Sequence, residues 1–301
     1  MPLRLESLSA EKLGLLSPAQ TVFFFPVGGI EDHGPHLPLG LDLLEAEKLS
    51  ELAAEKLERE MPGWMGVIMP RAPLALQTNT TQVALTVRAH VLRDWLVDAC
   101  EGLARLGFCH FVCFSGSQTP KQLTAIEEAG KILRRKGRSL PGRKKSVPTL
   151  VSANSALVDA SVVRASPLWP DPVEHGGERD TSVALWLNRE LVQESFAGLP
   201  PKERAGGFLE RAMSRVRRTR GGYWGSPSTA SAEKGNAVMV SAVELVFPKL
   251  RAVWGGASAN QKFRSWYSIL PPNKSFFKVW FMFLIAVGLF AAYLYVGMMG
   301  I

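Results

Sequence analysis

The stretch EDHGPHLPLGLD, residues 31–42, places Glu31, His33 and Asp42 around a run of glycines and prolines. Glu31 and His33 flank a single residue, so on an extended segment their side chains leave the same face. Asp42 follows a turn-rich run that can fold the chain back toward them. Two carboxylates and an imidazole form a hard-to-borderline ligand set suited to zinc, manganese or iron. A second reading stays open from the same residues. Asp42 with Glu45 three positions on has the spacing of a helix capping box, and Glu31 with His33 would suit a solvated turn.

The elements that must position these residues can be read from the hydrophobic periodicity. TVFFFPVGG (21–29) reads as a buried strand closed by two glycines, and GVIMP (66–70), FCHFVCF (108–114) and PTLVSAN (148–154) as further strands. Between them lie amphipathic helical patterns at about 41–61, 91–107, 121–136, 181–196 and 231–254. Strands alternating with helices predict a layered α/β fold around a largely parallel sheet. In such sheets ligands bind beyond the carboxyl ends of strands. The 31–42 stretch, SGSQTP (115–120) and SANSA (152–156) all fall there.

The net charge of +8 is gathered largely at 131–145 and 211–220. No aromatic-studded basic motif accompanies these runs, so no nucleic-acid partner is expected. Cys100, Cys109 and Cys113 have no spaced framework, which fits a reducing compartment, and Cys109 and Cys113 fall in a strand pattern that packs in the core. The N-terminus lacks the pattern of a signal peptide. From 279 to 301 the chain carries no charge, and as a helix this stretch spans roughly 34 Å, enough for a bilayer core. Lys262, Arg264, Lys274 and Lys278 precede it, which predicts a single-pass C-terminal anchor with the main domain in the cytoplasm. The sequon at 79–81 would then never meet the glycosylation machinery. The expected organisation is an α/β domain over 1–254, a linker over 255–275 and a transmembrane helix over 276–301.

VGGIEDHGPHLPLGLD (27–42) resembles the signature of the creatininase (creatinine amidohydrolase) family, and two later segments are similar in the same order. These are EHGGERDTS (174–182) and GYWGSPSTASAEKG (222–235). The resemblance implies a layered α/β fold, hydrolysis of small amide-type C–N bonds, two divalent metals and a homo-oligomer. It places Glu31 on a first metal, His33 on a second and Asp42 between them. His175 falls on the proton donor to the leaving nitrogen, with Glu174 positioned to assist it by hydrogen bonding. Asp180 falls where a carboxylate reaches the second metal, although an aspartate there could equally cap a helix starting at Thr181.

The chain departs from that pattern at two places. Ser117 stands where the family carries a metal-binding histidine, and LALQTNTTQVALTV (74–87) replaces its middle segment. Two functions of different class follow. One is a membrane-anchored metal-dependent hydrolase acting on a small-molecule substrate with a reduced site of one or two ions, in which His33, Asp42 and Asp180 could hold a single ion. The other is a catalytically inactive pseudoenzyme that serves as a membrane-tethered oligomeric binding scaffold.

Overall fold

A computed structural model of the chain describes residues 2–76, 83–138, 147–157, 174–203, 221–265 and 274–299. The sequon at 79–81, the basic run 211–220 and most of the loop expected at 137–147 lie outside these residues. The strands are β1 (Leu3–Arg4), β2 (Thr21–Val27), β3 (Ile30–Glu31), β4 (Met65–Ile68), β5 (Ala84–Leu85), β6 (His110–Ser115) and β7 (Thr149–Ser152). The helices are α1 (Ala10–Gly14), α2 (Leu41–Glu60), α3 (Ala89–Arg105), α4 (Pro120–Arg138), α5 (Glu178–Leu187), α6 (Ala232–Trp254), α7 (Ala259–Lys262) and α8 (Lys274–Met299).

Five strands form one sheet in the order β1-β4-β2-β6-β7, every pair parallel. The central strand β2 is buried at every position, which is why it reads as a continuous apolar run rather than an alternating one. Its odd and even residues serve two cores. Val22 and Phe24 pack with Leu49, Ala53 and Leu57 of α2 and with Val243 and Phe247 of α6. Phe23, Phe25 and Val27 pack with Leu92 and Leu96 of α3 and Ile126 and Leu133 of α4. The result is a parallel sheet between two helical layers, as expected from the sequence. All three cysteines are buried and none forms a disulfide.

Some boundaries differ from the sequence expectation. The helix expected over 181–196 begins earlier and stops at Leu187, because Asn188 is extended and its side chain accepts from the Glu190 N–H at 3.0 Å to start a new turn. Part of the expected linker docks on the domain. Ala259 and Phe263 join the core against α6, and the Ser265 N–H donates to Glu127 Oε1 at 2.9 Å.

The sequence predicts a transmembrane helix over 276–301. The chain does form a helix there, α8, and its described side chains from Phe281 to Tyr293 are all exposed. Among the described residues, however, no helix is long and apolar enough to cross a membrane.

Candidate metal centre

Because all the sheet strands are parallel, the segments leaving β2, β6 and β7 emerge on one side. They are also bonded to one another: Gly116 N–H donates to Val27 O at 3.0 Å, and Ser115 N–H donates to Asn154 Oδ1 at 2.7 Å. The segment after β2 runs through Gly28 and Gly29 into β3, so Glu31 arrives buried at this edge. The antiparallel partner β5 holds it, with Glu31 opposite Ala84.

Asp42 does not cap α2. The helix starts at Leu41, and its N-cap is Gly40, with no side-chain cap bond. Asp42 lies in the first turn and turns inward instead. Its Oδ2 accepts from Gly29 N–H at 3.3 Å, and its Oδ1 lies 3.3 Å from His33 Nε2. Glu45, the other half of the expected capping box, pairs with the guanidinium of Arg179. The capping-box reading therefore gives way to an inward-facing carboxylate.

His33 Nδ1 bonds the Glu31 carbonyl oxygen at 3.0 Å. A carbonyl only accepts, so Nδ1 carries the hydrogen and Nε2 is turned toward the carboxylates. His175 comes from a separate segment. It is held in backbone register with Trp224, His175 N–H to Trp224 O at 3.1 Å and the reverse bond at 2.8 Å. Its ring lies between those of His33 and Trp224, with centroids 4.5 Å and 4.8 Å away. His175 Nε2 donates to the Asp32 carbonyl at 2.8 Å. Thus the 222–235 segment clamps His175 against the 31–42 segment.

Asp180 sits in the first turn of α5, two residues inside the helix rather than capping it. Its Oδ2 accepts from Gly176 N–H at 2.8 Å and its Oδ1 from Arg179 Nη1 at 2.9 Å. Glu174 does not reach His175. Its carboxylate accepts from the Glu178 N–H at 3.0 Å and from the Arg179 N–H, and so satisfies the open start of α5. Ser117 is buried at the end of β6, where its carbonyl accepts from Ser115 Oγ at 2.7 Å.

Two groups of potential ligands result, Glu31–His33–Asp42 and His33–His175–Asp180. Within each group the ligand atoms lie within 4.8 Å of one another. Glu31 Oε2 is buried and has no hydrogen-bond partner among the described residues. Three carboxylates thus crowd one imidazole, and the electrostatics follow. Burial and the charge of Asp42 push the Glu31 carboxyl up to about 8. Burial works against a charged His33, yet the bond to Asp42 and the charges of Asp42, Asp180 and Glu31 raise it to about 10. His175 moves the other way, lowered by burial and by the neighbouring charge of His33. Asp180 is held below the usual carboxylate range, against the effect of burial, by Arg179 and then by His33 and His175. A cavity that protonates a glutamate and charges a histidine at neutral pH lacks positive charge. A divalent ion supplies it, so these residues fit a metal.

Three further residues of the site have no role assigned from the sequence. Arg179 is a partly buried guanidinium that ties Glu45 on α2 to Asp180 on α5. His36 is fully buried, with Nε2 2.8 Å from Thr181 Oγ1 and its ring edge-on to Tyr223. Gly116 marks the close approach of the β6 loop to α2. A Cβ there would lie 2.1 Å from the Asp42 carbonyl oxygen and 2.5 Å from its Cα. Gly116→Ala should therefore push α2 away from the sheet edge and cost about 2 kcal/mol, read as a lower urea midpoint with an unchanged slope.

The sequence profile of the creatininase family, described as creatinine amidohydrolase, matches residues 6–248. The chain belongs to the creatininase family. Solved structures agree on the fold. A tryptophan-to-alanine variant of creatininase superposes with a TM-score of 0.67 at 21% identity, covering 84% of this chain and 99% of that one. A creatininase described with manganese gives 0.67 at 20% identity, with the same coverage of 84% and 99%. A putative creatinine amidohydrolase from Bacteroides fragilis gives 0.62 at 18% identity, covering 85% and 97%. A glutamate-to-glutamine variant of creatininase is described as Zn-Zn type, at a TM-score of 0.63 and 21% identity, covering 84% and 99%. Comparison with curated proteins gives no match.

Proposed function

We propose that the protein is a metal-dependent hydrolase of a small amide-type C–N bond. The observation that carries this reading is the buried cluster of Glu31, His33, Asp42, His175 and Asp180 beyond the carboxyl ends of β2 and β6. Manganese and zinc named with the solved creatininases support the same class of ion. When bound, a divalent ion would activate water near neutral pH and polarise the substrate carbonyl.

The chain's own residues supply the proton traffic. His175 Nε2–H is fixed on the Asp32 carbonyl, so Nδ1 is the atom that exchanges protons. With its pKa lowered, His175 is neutral near pH 7 and accepts a proton there before passing it to the departing nitrogen. The carboxylate of Asp180 stabilises the transient imidazolium. The Trp224 ring packs tilted against that of His175, which is 5% exposed. His175→Asn should lower kcat for amide hydrolysis by about 10²–10⁴-fold while leaving bound metal unchanged, tested by a small-amide panel with parallel elemental analysis. Creatinine itself is not the expected substrate, because residues 74–87 leave the family pattern.

We also propose that 276–301 tethers the domain to a membrane with its bulk on the cytoplasmic side. The exposed apolar side chains of Phe281, Leu284, Ile285, Leu289 and Phe290 on α8 support this. Recovery of the full chain in a carbonate-washed membrane fraction tests it, and recovery in the soluble fraction would overturn it. The scaffold reading rests on Ser117 in place of a ligand histidine. It becomes the better account if the purified chain binds no divalent ion.

A further inference from the structure

Resting on the hydrolase reading above, we propose that each chain holds a single divalent ion, on Glu31, His33 and Asp42, and that its own hydrogen bonding excludes a second. The two candidate ligand groups intersect at His33. Its Nδ1–H is committed to the Glu31 carbonyl, so Nε2 carries the only lone pair of the ring. One lone pair serves one ion. With His33 taken, the other group retains only His175 and Asp180, one short of the three protein ligands of catalytic zinc sites.

The choice between the groups follows from what each carboxylate already does. Both oxygens of Asp180 are engaged, Oδ1 by Arg179 and Oδ2 by the Gly176 N–H. The guanidinium of Arg179, shared with Glu45, also sits on that carboxylate and repels a dication beside it. Glu31 has the opposite character. It is 4% exposed, yet among the described residues Oε2 has no hydrogen-bond partner. A buried carboxylate oxygen left unpaired is costly unless something coordinates it. Glu31 and Asp42 bring two carboxylates to the ion, whereas Asp180 already shares the guanidinium of Arg179 with Glu45. With the ion on Glu31, His33 and Asp42, His175 Nδ1 stays available for proton transfer.

The test is a titration of metal-stripped, full-length chain with zinc chloride and, separately, manganese chloride. Isothermal calorimetry reads the stoichiometry, and elemental analysis follows dialysis. One ion per chain is expected for the wild type, Asp180→Asn and His175→Asn, and none for Glu31→Gln. Two ions in the wild type would overturn the single-ion assignment and leave the hydrolase reading standing. No ion under any condition would overturn both. Loss of the ion in Asp180→Asn with retention in Glu31→Gln would move it to His175 and Asp180, and so overturn the ligand assignment. Cobalt(II) substitution of the wild type needs no variant to fold. Its paramagnetically shifted proton spectrum should show one solvent-exchangeable imidazole N–H, that of His33, and two would place His175 on the ion.

Discussion

Replacing Asp42 with alanine should strip the chain of its divalent ion and lower amide hydrolysis by about three orders of magnitude, the equivalent of roughly 4 kcal/mol of lost transition-state stabilisation. The size of the effect follows from the number of contacts that one side chain makes. Asp42 Oδ1 faces His33 Nε2 and Oδ2 accepts from Gly29 N–H, so it sets both the charge of the cluster and the geometry of the loop leaving β2. It also approaches the β6 loop through its backbone, where only a glycine fits at position 116. That backbone contact survives the substitution, so the variant should still fold with native far-ultraviolet dichroism. Metal at wild-type stoichiometry in the folded variant would contradict the placement of the site. Asp42→Asn separates charge from shape: it keeps the size of the side chain and should still lose most of the metal affinity.

The fold was legible because its core obeys simple periodicity. TVFFFPV has no polar residue facing outward, which marks a strand covered on both faces, and α2, α3 and α6 each show one apolar stripe. Glu31, His33 and Asp42 were legible because they lie within twelve positions of one another. His175 and Asp180 lie far along the chain, and only the resemblance pointed to them. Arg179 could not be read in the same way. A lone arginine between Glu178 and Asp180 looks like a solvated helix end, and its meaning comes from Glu45, 134 positions away on another helix. His36 similarly acquires a role from Thr181 across 145 positions. Glu174 misled for a physical reason as well. A carboxylate next to a histidine suggests a pair, but the unsatisfied N–H groups at the start of α5 lie on its other side and take it. Pairings across the sheet edge belong to the tertiary structure, and no local spacing encodes them.

The metal-free chain should lose stability as pH rises from 7 to 8, and a divalent ion should abolish that loss. Glu31 is raised from its ordinary range to about 8, and His33 to about 10. In both, the native state holds a proton that the unfolded chain has released, Glu31 above about 4.5 and His33 above about 6.5. The stability from each is full below the unfolded value and is lost as pH climbs through the folded one. Each proton held only by the native state lowers stability by about 1.4 kcal/mol per pH unit, so the two together give up to about 2.7 kcal/mol between pH 7 and 8. His36, lowered to about 4 by burial, and His175, also lowered, slope the other way, but their effect is complete near pH 6.5. An ion on Glu31, His33 and Asp42 replaces both protons, so its affinity rises with pH over the same interval. Thermal melts with and without added zinc should therefore diverge, the gain in Tm on adding metal being larger at pH 8 than at pH 7 and smallest at pH 6. A gain that is flat across this range would mean that the ion displaces no proton from Glu31 or His33, and that it sits elsewhere.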